Sequence, residues 1–190
     1  MIDSLQRFDM KGLCFINRYF KCMLLDKLMP IITNLGNSGI VWIIISICLF
    51  FSKGNRIEGY MIIFALLLTT AIGEGVIKHL IRRTRPFINM NQDTLLISKP
   101  ITYSFPSGHT ASSFAVAGVL VFMNSNISFY AIILASFIAF SRLYLNVHYP
   151  SDVIMGILIG VICAIVVVDM FNNITLDSFY DMYHLLSKSI

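Results

Sequence analysis

The sequence predicts an all-α protein: a polytopic bundle of five to six transmembrane helices preceded by an amphipathic helix. Three observations predict this class. Of the 190 residues, 57% are hydrophobic and only 13% are charged, and the mean hydropathy is +0.78, which soluble domains of this size seldom reach. Apolar runs recur along the chain, each extendable to the roughly 20 residues that a bilayer crossing requires. Short polar links separate most runs, which is typical of antiparallel neighbouring helices.

The N-terminal segment has the pattern of an interfacial helix. Apolar residues recur at helical spacing through residues 3–29, and arginines and lysines stand between them. This combination favours a helix that lies in the membrane interface over one that crosses the bilayer. The stretch NLGNSG, residues 34–39, has the composition of a turn and separates this segment from the first span. A sixth span over residues 12–36 is the alternative interpretation.

Five apolar runs are predicted to cross the membrane, and one long link interrupts them. The runs are 40–52, 60–77, 111–123, 127–140 and 153–168. The long link, from Arg82 to Pro106, joins the second run to the third, and links of this length usually carry function or are disordered. Counting the crossings places this link, the start of the third run, the end of the fourth and the start of the fifth on one membrane face.

The chain contains no sign of a second domain. Without an internal repeat or a low-complexity tract, residues 1–190 are interpreted as a single membrane-integral domain. An N-terminal segment, 1–36, precedes a transmembrane core, 37–172. The tail, 173–190, is predicted to be a short amphipathic helix or a frayed end. No short signal-peptide core opens the sequence, so we expect the uncleaved spans to direct insertion.

Composition argues against several classes of function. The four cysteines are scattered without close spacing, which suggests neither a metal cluster nor a redox pair. The net charge of +4 comes without a basic run interleaved with aromatic residues, so no nucleic-acid partner is expected. No cluster of Asp, His or Cys has the spacing of metal ligands, and we therefore expect neither a metal nor another cofactor.

Three polar clusters fall on the shared face, and the first is KHLIRRTRP. On a helix, Lys78, Arg82 and Arg85 share one side until Pro86 ends the helix. Taken alone, the cluster also fits cationic side chains that snorkel at the end of a span. Glu74, one turn earlier, is placed to pair with Lys78 inside the membrane, a structural role rather than a catalytic one.

The second cluster is PSGHTASS. Ser107 is a natural N-cap, and small residues beginning with Gly108 open the span, so the free N–H groups of a helix N-terminus face the aqueous side. Such a terminus binds anions. An ordinary cap followed by a small-residue packing face explains Ser107 as well. It does not explain His109, because a histidine at a membrane boundary is uncommon without a partner or a role.

The third cluster is SRLYLNVHYPSD, which ends the fourth run and opens the fifth. It brings Arg142 and His148 to the same face. Asp152 follows His148 by four residues, and from the first turn of the next helix its carboxylate is placed to accept a hydrogen bond from the imidazole. A carboxylate behind a histidine fixes its tautomer and raises its basicity. Taken singly, Arg142 also fits a snorkelling anchor and Asp152 a helix cap.

Together the clusters have the composition of a site for phosphoryl chemistry. Fixed cations and the donors of a helix N-terminus form a phosphate site. Two titratable histidines, one with a carboxylate behind it, add a nucleophile and an acid. The candidate residues are Lys78, Arg85, Ser107, Gly108, His109, Arg142, His148 and Asp152.

These clusters resemble the three-part signature of the type 2 phosphatidic acid phosphatase superfamily. A lysine followed by Arg-Pro, then PSGH, then Ser-Arg with a histidine and an aspartate occur in the order of that signature, over residues 78–152. The resemblance implies a compact membrane-embedded phosphatase. Its substrates would be lipid phosphates or diphosphates, such as undecaprenyl diphosphate, phosphatidylglycerophosphate or phosphatidate.

The resemblance also implies a role for each candidate residue. The three cations would hold the phosphate oxygens, and Ser107 and Gly108 would add donors. His148 would be the nucleophile that takes the phosphoryl group, oriented by Asp152, and His109 would protonate the leaving oxygen. Two alternatives stay open: vanadate-dependent haloperoxidase chemistry in the same site, and a non-enzymatic lipid transporter or scaffold that retains an anion site.

Two lines of reasoning disagree about which side of the membrane the site faces. Bacterial members of the superfamily generally work on the outer face of the cytoplasmic membrane. Lysines and arginines are nevertheless denser on the predicted catalytic face than on the other, where the count is Lys53, Arg56 and Lys188. Because phosphate binding explains three of the cations, we expect an outward-facing site. The sequence does not indicate an oligomeric state.

Overall fold

A computed structural model describes residues 2–90 and 95–187, with side chains described for residues 4–90 and 95–174. The regular elements in these ranges are helical. They are α1 (Ile2–Tyr19), α2 (Met23–Leu35), a 3-10 turn (Asn37–Gly39), α3 (Ile40–Phe51), α4 (Arg56–Thr70), a π-helical turn (Ala71–Ile77), α5 (Lys78–Ile81), α6 (Pro86–Asn89), α7 (Gly108–Phe122), α8 (Ser128–Tyr144) and α9 (Pro150–Ser187).

Within the described residues, two helical stretches are long and apolar enough to cross a membrane. They are Arg56–Asn89, which begins with α4, and Pro150–Ile174 of α9. A third candidate is α2 with α3, which qualify only as a pair and are bent by 50° at the break between them. Helices α7 and α8 are also apolar but have 15 and 17 residues, fewer than the roughly 20 of a typical crossing.

Helix α7 lies at the centre of the bundle and packs against α4, α8 and α9. Two glycines on α9 bring it close to α7. A Cβ atom on Gly156 would lie 2.8 Å from the carbonyl oxygen of Ser107, and one on Gly160 would lie 2.8 Å from the backbone nitrogen of Ala115. Small residues four positions apart permit such an approach between membrane helices. This packing holds the second polar cluster, at the start of α7, against the third, at the start of α9.

The N-terminal segment differs from the predicted single interfacial helix. Helix α1 ends at Tyr19, and the chain turns before α2 begins at Met23. Helix α2 then packs along α8, where the backbone N–H of Cys22 donates to the Tyr144 hydroxyl at 3.3 Å. The first candidate crossing therefore starts with α2 rather than with α3. NLGNSG lies at the break of this bent pair, and α2 alone does not meet the length and composition of a membrane span.

The first polar cluster is not the continuous helix that its spacing predicted. Helix α5 ends at Ile81, and Arg82 has a positive φ of 50°. Arg85 is extended, with φ −83° and ψ 153°, because the ring of Pro86 disfavours the helical region for the residue before it. The prediction that Lys78, Arg82 and Arg85 share one helix side is therefore wrong.

The predicted tail continues the last helix. Helix α9 runs from Pro150 to Ser187 without interruption. The sequence after Gly160 contains neither glycine nor proline, so nothing in the backbone chemistry ends the helix. Residue 172, taken as the end of the transmembrane core, is not the end of a helix.

Candidate active site

A cavity of about 760 Å³ lies beside the break between α2 and α3. Backbone outside a regular helix is tolerated inside a membrane where it lines a cavity, so the bent crossing and the cavity belong together. The polar lining includes Lys78, Arg85, Gly108, His109, Arg142 and His148. The apolar lining includes Ile43, Ile63, Leu66 and Leu67, from α3 and α4. Six of the eight predicted site residues thus face one cavity, whereas Ser107 and Asp152 do not line it.

Two of the three predicted cations have donors available for an anion. Arg142 is buried, its Nη1 donates to the Thr33 hydroxyl, and its Nε has no hydrogen-bond partner among the described residues. An unpaired buried N–H is costly and calls for an acceptor. Lys78 donates from Nζ to Glu74 Oε1 at 2.6 Å, the pairing that the sequence suggested. An ammonium has two further N–H groups.

Arg85 is the cation in direct contact with a histidine. Its Nη1 lies 2.8 Å from the carbonyl oxygen of Val147 and 3.2 Å from Nε2 of His148. Its Nε donates to the Thr102 carbonyl oxygen, and its Nη2 donates to the Thr102 hydroxyl and the Tyr103 carbonyl oxygen. All five N–H donors of the guanidinium are engaged. A bound anion therefore has to replace one of these contacts, and of the acceptors both His148 and Thr102 line the cavity.

His148 is held as one neutral tautomer. Its Nδ1 lies 2.7 Å from the carbonyl oxygen of Ser104, so Nδ1 carries the proton and Nε2 accepts from Arg85. Burial, followed by the positive charges of Arg85, Arg142 and Lys78, keeps the pKa of the imidazole well below its ordinary value of 6.5. Nε2 is therefore unprotonated at neutral pH, and its electron pair accepts from Arg85.

Asp152 does not hold His148 in the way that the sequence suggested. Its Oδ2 is 3.7 Å from Nδ1 and accepts from the backbone N–H of Tyr149 at 2.8 Å. Its Oδ1 accepts from Arg83 at 2.6 Å. The prediction that Asp152 orients the ring by a hydrogen bond is therefore wrong. Its carboxylate accepts from the backbone N–H of Tyr149 instead and caps the start of α9. The carbonyl of Ser104 orients the ring instead, and Asp152 makes no hydrogen bond to it.

His109 has a partner in the break between α2 and α3. Its Nε2 lies 2.8 Å from Oδ1 of Asn37. The amide nitrogen of Asn37 donates to Asn34 at 3.0 Å, so the oxygen faces the histidine and Nε2 is the protonated nitrogen. The break in the first crossing therefore sets the orientation of the second histidine.

The helix N-terminus supplies fewer donors than expected. Ser107 stands at the N-cap of α7, as predicted, but its hydroxyl lies 2.9 Å from that of Thr110. Its backbone N–H donates to the carbonyl oxygen of Asp152 at 3.1 Å. Ser107 thus joins α7 to α9 and has no free donor facing the cavity. Gly108 lines the cavity in its place, and a Cβ atom there would collide with the Glu74 carboxylate.

Sequence reasoning missed Arg83, Asn37, Ser104 and Asp9. Arg83 and Ser104 belong to the long link, where motif spacing does not indicate which residues contact the site. Asn37 stood in a stretch interpreted only as a turn. Asp9 had a signal: it lies four residues before Leu13 on the stripe of α1 that is buried, and a carboxylate on an apolar stripe needs a partner.

A comparison with known families matches residues 59–176 to the model of the PAP2 superfamily. The chain belongs to the PAP2 superfamily. It is 33% identical over 143 residues to an undecaprenyl-diphosphatase from Sulfolobus acidocaldarius, a match that covers 75% of this chain and 68% of the relative. It is 31% identical over 142 residues to an undecaprenyl-diphosphatase from Bacillus subtilis, covering 73% of this chain and 70% of the relative.

The fold is also similar to that of a solved PAP2 relative. The crystal structure of Aquifex aeolicus LpxE superposes with a TM-score of 0.74 at 32% identity, and the match covers 85% of this chain and 94% of the other. These similarities confirm the predicted superfamily, the all-helical membrane-integral fold and the class of enzyme, a phosphatase. The roles of the individual site residues are not decided by them.

Proposed function

We propose that this PAP2 enzyme removes the terminal phosphate of a polyprenyl diphosphate through a phosphohistidine on His148. The observation that carries the proposal is the unprotonated Nε2 of His148, which faces a cavity lined by three cations and by apolar side chains. Cations at the reacting phosphate and an apolar wall for a lipid chain are what a lipid phosphate requires.

The reaction proceeds in two steps. In the first, His148 Nε2 attacks the terminal phosphorus, a P–N bond forms, and the P–O bond to the lipid phosphate breaks. His109, in its doubly protonated imidazolium form beside the bound diphosphate, donates a proton to the leaving oxygen and becomes neutral. In the second, water attacks the phosphohistidine and gives a proton to His109, and inorganic phosphate leaves as the P–N bond breaks. Lys78, Arg85 and Arg142 stabilise the charge on the equatorial oxygens in both steps.

The choice of a diphosphate rests on two observations. Two relatives that cover most of this chain are undecaprenyl-diphosphatases. Neutral polar groups line the cavity beside His109, among them Asn34, Asn37, Ser38 and Ser112. Such groups can hydrogen-bond the second phosphate of a diphosphate, which remains on the lipid as the leaving group.

A substrate panel tests the proposal. Purified protein in detergent, with excess chelator present, is assayed for release of inorganic phosphate from undecaprenyl diphosphate, phosphatidylglycerophosphate and phosphatidate. We expect turnover with chelator, the highest kcat/KM for the diphosphate, and inhibition by vanadate. Phosphate release from none of these lipids would favour the transporter or scaffold, and oxidation of halide by the vanadate-loaded protein would favour the haloperoxidase.

We also propose that the site faces the outside of the cytoplasmic membrane. The basic residues of α1 lie on the same side as the site, since Asp9 of α1 contacts the start of α9, and they argue against this orientation. An interfacial helix, however, also places basic residues at anionic head groups on either face. The superfamily resemblance therefore supports the outward orientation.

Cysteine labelling on intact cells tests this orientation. The four native cysteines are first replaced, because three of them are exposed. We expect a membrane-impermeant maleimide to label Ile101→Cys, at a fully exposed position of the long link, in intact cells. Lys53→Cys, in the loop between α3 and α4, is the control and should react only after permeabilisation. The opposite pattern would place the site inside.

A further inference from the structure

A buried carboxylate of α1 reaches the back of the active site. Asp9 is 0% exposed. Its Oδ1 accepts from the backbone N–H of Ser151 at 2.9 Å, and its Oδ2 accepts from the Ser151 hydroxyl at 2.7 Å and from Nη2 of Arg83. Ser151 precedes Asp152 at the start of α9. Both oxygens of Asp9 are therefore committed to groups that surround Asp152.

Arg83 connects the two carboxylates. Its Nη2 donates to Asp9, while its Nη1 donates to Asp152 at 2.6 Å and to the Ser151 hydroxyl at 2.7 Å. Its guanidinium carbon lies 4.0 Å from the centre of the Tyr149 ring. Stacking and three charge-assisted contacts leave the guanidinium little freedom. Arg83 does not line the cavity, so it acts only through its neighbours.

Close packing fixes α1 in this position. A Cβ atom on Gly12 would lie 2.7 Å from Cγ of Pro150, so only glycine lets α1 approach the start of α9 this closely. Leu13 and Ile16 of the same helix face are buried, whereas Leu5, Phe8 and Phe15 are exposed. Asp9 and Gly12 thus form the part of α1 that contacts the catalytic elements.

We propose that Asp9 is a positioning residue for the nucleophile: acting through Arg83 and Ser151, it sets the place and effective charge of Asp152 behind His148. The inference rests on the proposed function of His148. Asp152 makes no direct hydrogen bond to the ring, being 3.7 Å from Nδ1, so its effect depends on charge and distance. Two carboxylates around one guanidinium leave one net negative charge beside the ring.

That charge matters when the P–N bond forms. As Nε2 of His148 bonds to phosphorus, the imidazole becomes positively charged, and a negative group behind it stabilises the transition state. With Asp9 neutralised, Arg83 cancels the charge of Asp152 and is no longer held from its other side. The cations that bind the substrate phosphate are untouched, because Asp9 contacts none of them.

The test compares Asp9→Asn with Asp26→Asn, a control that changes another N-terminal carboxylate, one which accepts from the Tyr144 hydroxyl at 2.7 Å. We expect Asp9→Asn to lower kcat and the rate of phosphoenzyme formation by about 10- to 100-fold, the range for groups that support a functional histidine. The KM and the inhibition constant of inorganic phosphate should stay within about twofold. Under the proposed function vanadate bonds to Nε2, so its inhibition should weaken in proportion to kcat. Asp9→Glu should recover part of the loss.

Each result decides one point. Equal kcat in Asp9→Asn and Asp26→Asn would overturn the inference. So would an equal weakening of phosphate and vanadate inhibition in Asp9→Asn, because that pattern indicates general damage to the site. If Asp9→Asn does not accumulate in the membrane, Ser151→Ala removes one hydroxyl from the same link. Ser151→Ala should lose less kcat than Asp9→Asn, and its inhibition by vanadate should weaken while its inhibition by phosphate is kept. Vanadate inhibition of Ser151→Ala equal to that of the wild type would overturn the inference. A wild-type protein without phosphatase activity would instead contradict the proposed function.

Discussion

At the scale of single residues, the two histidines differ in what holds them. His148 donates a hydrogen bond from Nδ1 to the Ser104 carbonyl, and its Nε2 accepts one from Arg85. His109 is protonated at Nε2 and hydrogen-bonded to Asn37. Under the proposed function, His148 attacks and His109 carries a proton. Their loss should have different consequences.

Loss of the proposed acid should depend on the leaving group. We expect His109→Ala to slow hydrolysis of phosphatidate by about 10²–10⁴-fold, and of nitrophenyl phosphate much less, because a leaving group of low pKa needs little protonation. Asn37→Ala should show the same ranking with a smaller loss. The measurement is kcat/KM on both substrates for each variant. Equal losses on both would contradict the acid role of His109.

The state of His148 predicts how stability varies with pH. Burial, followed by the nearby cations, keeps its pKa well below 6.5 in the folded protein. The unfolded chain therefore binds a proton below about pH 6.5 that the folded protein does not bind, and stability falls as the pH falls, by at most about 1.4 kcal/mol per pH unit.

Thermal unfolding in detergent from pH 7 to pH 5 measures this effect. His148→Gln should reduce the pH dependence of the melting temperature, because the buried imidazole is gone. His79→Gln, which removes an exposed histidine, is the control and should leave it close to that of the wild type. An unchanged dependence in His148→Gln would contradict a neutral buried imidazole.

Residue types and spacing predicted eight candidate residues, and six of them line the cavity. Their contacts were not predicted. Asp152 stands where a carboxylate behind a histidine should stand, and it caps α9 and pairs with Arg83 instead. The orienting group is the carbonyl of Ser104, and a backbone carbonyl leaves no mark in a sequence. Only the path of the long link brings it to the ring.

At the scale of helices, the close packing of α7 against α9 holds the parts of the site together. The first turn of each helix supplies part of it, so the two must approach closely. We expect Gly160→Ala to destabilise the protein by about 1–3 kcal/mol, since the new methyl group meets the backbone of Ala115 and overpacks the contact. Gly75→Ala, at an exposed position where a Cβ has only an ordinary contact, is the control.

The measurement is the unfolding midpoint of both variants in detergent, together with kcat. Gly160→Ala should lose stability and activity together because it separates the two helix starts. Gly75→Ala should lose little stability. A Gly160→Ala variant as stable and active as the wild type would show that the helices have room to separate.

The apolar runs predicted that helices exist, but not how consecutive helices join. Apolar runs mark single helices, so α3, α4, α7, α8 and α9 were recognised. The apolar pattern does not show that α2 packs against α8 and forms a bent pair with α3. That arrangement depends on partners far along the chain, such as Tyr144. For the same reason Arg82 was placed in a helix that ends before it.

At the scale of the whole molecule, the bundle places a charged site inside apolar surroundings. The bent pair of α2 and α3, the start of α7 and the link between α8 and α9 line one cavity, which also has three cations and apolar side chains of α3 and α4 in its walls. This arrangement accounts for a phosphate group and a lipid chain bound in one place. The proposed function requires the chemistry to pass through His148.

Trapping of the covalent intermediate tests that requirement most directly. Substrate labelled with ³²P in its terminal phosphate is mixed with the enzyme for milliseconds and quenched in alkaline denaturant, because the P–N bond of phosphohistidine survives base and is lost in acid. We predict labelled wild-type protein, with the label released by acid and mapped to the peptide that contains His148. His148→Ala should carry no label, whereas His109→Ala should still carry it with a good leaving group. Label retained by His148→Ala would contradict the account.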